Sequence, residues 1–121
     1  MNKKGLELEN RCLRFAKNVR ELIKKTDLNL TNKVYAQQFV RYSSSIGANY
    51  IEANEKFSLK DCIFRMKISR KEAKETIYWL NLIEFTNGKQ QELIHQEAIE
   101  LKKILSSIII KLEEKKKLTN A

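Results

Sequence analysis

A chain of 121 residues, 42% of them apolar, is long enough for one hydrophobic core and too short for two, so a single domain over 1–121 is expected. Proline is absent and glycine occurs three times, which removes the punctuation a strand-and-turn fold needs and leaves an all-α reading. The net charge of +9, from 24 basic and 15 acidic residues, points either to a polyanionic partner or to a solubilising surface.

The start Met1-Asn2-Lys3-Lys4-Gly5 is basic, but no apolar run follows it, so no signal peptide is expected. No stretch approaches the roughly 18 apolar residues of a membrane span, and a cytoplasmic protein with no membrane partner is expected. Residues 7–26 carry Leu8, Cys12, Phe15, Val19, Leu22 and Ile23 on one face, with Arg11, Arg14, Lys17 and Glu21 opposite. That spacing predicts an amphipathic helix. Cys12 and Cys62 both stand in apolar patterns and are expected in the core. With one histidine, His95, and no paired-cysteine spacing, no metal site or cofactor is expected.

The turn-like Asp27–Asn32 stretch offers Thr31 as N-cap of a second helix over 32–54. This helix places Gln38, Arg41, Ser45, Asn49 and Glu52 at steps of three and four, so five polar side chains descend one side. Tyr35, Phe39, Val40, Ile46, Tyr50 and Ile51 occupy the other. Two readings stand. The row is a buried network in which Arg41, Asn49 and Glu52 satisfy one another or helix-end carbonyls, with Ser44, Ser45 and Ala48 allowing close helix approach. Alternatively, it lines a groove that contacts a partner.

Ser58-Leu59-Lys60-Asp61 reads as a capping box opening a third helix over 59–86, which Gly88 closes as C-cap. Leu59, Cys62, Ile63, Met66, Ala73, Ile77 and Leu80 form one apolar side, and Phe64, Ile68, Trp79 and Leu82 a second. A helix apolar on two sides is covered on both, so the second side predicts an oligomer interface. Lys60, Lys67, Lys71 and Lys74 form a basic line suited to backbone phosphates, against which stands a solvated face shared with Glu72 and Glu75. Arg70 falls among Met66, Ala73 and Ile77 and is expected to pair with an acid such as Glu52, within or between subunits. Aromatic residues are few and not interleaved with the basic ones, so no stacking platform for single strands is expected.

The last helix, over 89–117, shows Ile94, Ala98, Leu101, Leu105, Ile108 and Leu112 at three-four spacing and ends in a charged tail. Short connections make successive helices antiparallel, predicting an up-down-up-down four-helix bundle. Enzymatic signals are weak: Ser43–Ser45 lack a neighbouring histidine in the sequence, and no phosphate-loop, dinucleotide or nucleophile-elbow motif occurs. The chain is read as non-enzymatic, with no small-molecule substrate.

The Arg41–Ala53 pattern, followed by Asp61 and the Ile68–Leu80 run, resembles the small bacterial four-helix-bundle family first met as proteins encoded in intervening sequences of 23S ribosomal RNA genes. The resemblance covers about residues 8–115. Arg41, Ser45, Ile46, Asn49 and Glu52 stand at the family's most recognisable positions, whereas Ala53 replaces its usual glycine and Gly47 its common proline. The family is similar in fold to the accessory proteins of diversity-generating retroelements. That likeness implies a homopentamer that binds nucleic acid and a reverse-transcriptase-like partner. Two functions follow as expectations: a nucleic-acid adaptor acting through the lysine line, or a protein–protein scaffold whose charge only keeps it soluble.

Overall fold

The computed structural model describes residues 3–86 and 88–120, which form α1 (Lys3–Lys24), α2 (Leu30–Asn54), α3 (Leu59–Leu82) and α4 (Gly88–Asn120), with no strand among them. Each helix packs against two neighbours, α2 against α3 most extensively and α1 against α4 least. Among the described residues no close backbone approach crosses the diagonals. The arrangement is the up-down-up-down four-helix bundle that the spacing predicts.

The core follows the apolar stripes. Leu8, Cys12, Phe15, Val19 and Leu22 of α1 meet Phe39, Ile46 and Tyr50 of α2, Met66, Ala73 and Leu80 of α3, and Ile94, Ala98, Leu101 and Leu105 of α4. After Leu105 the buried position of α4 is Ile109, and Ile108 is only half covered. A step of four there follows the 3.6-residue turn of the helix, where the expected stripe took a step of three. Burial pushes the Cys12 thiol up to about 12, so it packs as an unreactive apolar group.

The close α2–α3 contact is made by small residues. Ser43, Ser69, Ala73 and Thr76 are buried, whereas Ser44 and Ala48 are exposed and Ser45 is half exposed, so the expected set of close-approach residues is corrected. The three buried hydroxyls are satisfied by backbone carbonyls: Ser69 Oγ donates to Ile46 O at 2.7 Å, Thr76 Oγ1 to Glu72 O at 2.6 Å, and Ser43 Oγ to Val40 O at 3.1 Å. Gly47 serves a different contact. A Cβ there would lie 3.0 Å from Cys12 Cβ, so it is the absence of a side chain that lets α1 approach α2. The bidentate Arg11–Glu97 ion pair, with both contacts at 2.7 Å, ties α1 to α4 where packing is thinnest.

Helix ends show where the turn chemistry differs from expectation. Asn29, not Thr31, caps α2; its Oδ1 accepts from the Asn32 amide, and Thr31 Oγ1 donates to Asn29 Oδ1. Ser58 caps α3 as predicted, accepting from the Asp61 amide. That helix ends at Leu82, four residues early, and Gly88 opens α4 instead of closing α3. Chain reversal after Leu82 is held by tertiary contacts: Ile83 is buried, and Phe85 packs edge-on to Phe39. Asn87, the middle of the expected Thr-Asn-Gly turn, lies outside the described residues.

Candidate nucleic-acid interface

Lys67, Lys71 and Lys74 stand at steps of four and three on α3, so they leave the helix on one flank. Antiparallel packing of α4 brings Lys102 and Ser106 to the same flank. The result is an open groove of about 430 Å³ lined by Lys67, Arg70, Lys71, Lys74, Lys102 and Ser106. Lys67 Nζ lies 3.1 Å from Glu113 Oε1, and that is the ion pair found for these five cations among the described residues. Like charges held this close maintain a strong positive potential in water. Lys60 is exposed and is not among the groove's lining residues.

Within the chain, Arg70 has no ion pair with Glu52. It is half-buried and lines the cationic groove, while Glu52, its suggested partner, pairs within the chain with Lys56 at 2.7 Å. Lys102 and Ser106 were not singled out from the sequence. Each follows a core leucine of α4, Leu101 and Leu105, and so borders the stripe that faces the bundle. Their approach to the lysines of α3 depends on antiparallel pairing of the two helices.

The polar row of α2 is not a buried network. Arg41 and Glu52 are exposed, and no ion pair joins them. The Arg41 guanidinium sits 5.8 Å from the centre of the Tyr42 ring, a cation–π contact. Ser45 Oγ donates to Arg41 O, and Asn49 Nδ2 to Ser45 O, the local back-bonds of helical polar residues. One link leaves the helix: Arg65 Nη1 of α3 donates to Asn49 Oδ1 at 3.3 Å. Gln38 is half exposed at the head of the row. The row is a surface feature beside the α2–α3 seam, because the core positions of α2 lie on Phe39, Ser43, Ile46 and Tyr50.

Glu72 and Glu75 bring buried oxygens to this seam: one Oε2 of each lacks a hydrogen-bond partner. Burial raises the Glu72 carboxyl above the ordinary range; Lys71 opposes the shift, the neighbouring Glu75 adds to it, and Arg41 again opposes. A carboxyl raised in the folded state contributes stability below its unfolded pKa and loses it as pH rises through the folded value. Glu72→Gln is therefore expected to melt higher than the parent at neutral pH. The gain should shrink as pH falls toward about 4. Equal melting temperatures at pH 7 would show that the carboxylate is adequately solvated.

The second apolar side of α3 divides. Phe64 is 61% exposed and Leu82 lies on the surface, while Ile68 is half covered. Trp79 turns toward α2, stacked on Tyr42 (centroids 6.5 Å apart, planes 10° apart), tilted against Tyr35, and edge-on to Tyr78 at 5.2 Å. Tyr42, Tyr78 and Trp79 share a depression of about 700 Å³ with Lys71, Lys74 and Lys102. Aromatic and basic side chains are therefore interleaved in space, contrary to the expectation from their order in the chain.

All of this arrangement except Glu113 falls within one family match. The model for the 23S rRNA-intervening sequence protein covers residues 4–107. The chain belongs to that family. Among solved structures, the intervening-sequence chain is similar to a protein of unknown function from the S23 ribosomal protein family of Bacteroides thetaiotaomicron. The two are 36% identical, with 88% of this chain and 97% of that one covered and a TM-score of 0.76. No curated protein matches the chain significantly. Among its described residues this family member has no cluster of three or more metal-ligating side chains, and no helix is long and apolar enough to cross a membrane.

Proposed function

We propose that this member of the intervening-sequence family is a non-enzymatic, cytoplasmic, homo-oligomeric module that binds the phosphate backbone of nucleic acid. The observation that carries the reading is the groove between α3 and α4, where five cations converge and one has a carboxylate partner. Phosphate contacts of this kind release counterions and add affinity irrespective of sequence. Self-association is supported by Phe64 and Leu82, large apolar groups exposed on the outer face of α3. The subunit number of five comes from the family resemblance. In a ring the groove repeats, and weak contacts gain by multivalency.

The test is a titration of the protein with RNA and DNA across salt concentrations, beside light scattering. Binding to both is expected, falling steeply as salt rises. Changing Lys67, Lys71 and Lys74 together to glutamine should flatten the log–log salt slope by about 2 to 3 units per groove engaged, with the oligomer unchanged. A triple variant that binds as tightly as the parent would place the contact elsewhere. If the parent shows no binding at low salt, the chain is a protein–protein scaffold and its charge serves solubility.

A further inference from the structure

We propose that the surface continuing the cationic groove over α3 is a single-stranded nucleic-acid site, in which Tyr78 stacks an unpaired base while Lys71, Lys74 and Lys102 hold flanking phosphates. This rests on the phosphate-binding reading above and names its substrate class. Lys67, Lys71, Lys74 and Tyr78 succeed one another at steps of four, three and four, so the aromatic ring ends the same stripe that carries the lysines. Tyr78 is 60% exposed, and its near-perpendicular contact with Trp79, 82° between planes, leaves at least one ring face open. Trp79 is itself fixed by Tyr42 and packs against the core, which gives Tyr78 a rigid backing.

A base face can meet Tyr78 only when it is unpaired, because a duplex buries its base faces in the stack. The lysines serve either form, so the tyrosine alone discriminates. The rim of the depression also argues against a two-fold self-contact. Lys71, Lys74 and Lys102 outnumber Glu75 there, so a two-fold contact would set like charges together, and the head-to-tail contacts of a ring would have to bring an acidic surface to this rim. Trp79 meets Tyr35 and Tyr42 of α2 and lines the same depression as Tyr78, Lys74 and Lys102. On the same outer side of α3, Phe64 lies two turns before Lys71 and Leu82 one turn after Tyr78, so the exposed apolar groups flank the proposed site along the helix.

The experiment compares oligo(dT) with a duplex of equal length at one low salt concentration, using fluorescence anisotropy of labelled DNA. The parent should prefer the single strand. Tyr78→Ala should weaken single-strand binding about ten-fold and leave duplex binding and the salt slope unchanged, while Tyr78→Phe retains the preference. Trp79 is the only tryptophan, so its emission should change on adding oligo(dT) to the parent. Equal affinity of the parent for the two forms, or an alanine variant that binds like the parent, overturns the stacking site and leaves the phosphate-binding reading standing. Altered sedimentation of Tyr78→Ala overturns it in favour of a subunit contact. Absence of binding to either DNA overturns both readings.

Discussion

Replacing Phe39 by alanine is expected to lower the free energy of unfolding by about 3–5 kcal/mol, the range for deleting a buried phenyl ring. Phe39 is fully buried on α2 and packs edge-on to Phe85 of the α3–α4 connection, centroids 6.5 Å apart. Removing it takes away a large apolar group and leaves a cavity between helices that cannot collapse without moving their axes. The connection after α3 loses its anchor in the same step. Chemical denaturation at fixed protein concentration measures the change, since association would otherwise add to apparent stability. A loss under about 1 kcal/mol would mean that neighbouring side chains refill the site.

Asn32→Ala is expected to cost about 3 kcal/mol, although the side chain is polar. Asn32 is 2% exposed, and its amide closes three bonds: Nδ2 donates to Asp27 O at 2.8 Å and Glu84 O at 3.0 Å, and Oδ1 accepts from the Glu84 amide at 3.0 Å. One residue thereby joins the α1–α2 turn to the α3–α4 turn. Truncation leaves the Asp27 carbonyl and both Glu84 backbone groups without this partner, and the loss of three bonds made by a buried side chain dominates the effect. Asn32→Asp separates shape from bonding. It keeps the acceptor for the Glu84 amide but sets a carboxylate against two carbonyls, so at neutral pH it should be less stable than the alanine variant. Protonation restores a donor, and the deficit should narrow as pH falls. Thermal melts of both variants at two pH values check this order. Indistinguishable melts for Asn32→Ala and the parent would show that Asn32 does not bridge the turns.

Element type and stripe were legible because an amphipathic helix repeats every 3.6 residues and no proline interrupts the pattern. The family resemblance was legible from the Arg41–Ala53 pattern and the Ile68–Leu80 run. Turn chemistry was less so. Asn29 and Thr31 are both good capping residues two positions apart, and their choice depends on which oxygen reaches the Asn32 amide. Gly88 suits either helix end by composition. Its place at the start of α4 follows from the seating of Ile83 and Phe85 on the core, which ends α3 earlier.

The candidate site divides along the same line. Lys67, Lys71 and Lys74 are neighbours by helical spacing, so the chain alone determines that part of the charge. Arg41 and Glu52 stand in a polar row of the sequence, yet whether they close a buried network depends on the rotation of α2 about its axis. Packing set that rotation by burying Phe39, Ser43 and Ile46, leaving the row at the surface. Lys102 lies far along the chain from Lys74, and Tyr42 far from Tyr78, so only antiparallel packing on both sides of α3 could gather them. Composition and periodicity determine the bundle and its charge, because both arise from local geometry summed along the chain. Lys71, Lys74 and Tyr78 share a stripe of α3 by helical spacing, whereas the addition of Lys102 and Tyr42 to them was decided by tertiary structure, because it depends on the relative rotation and register of separate helices.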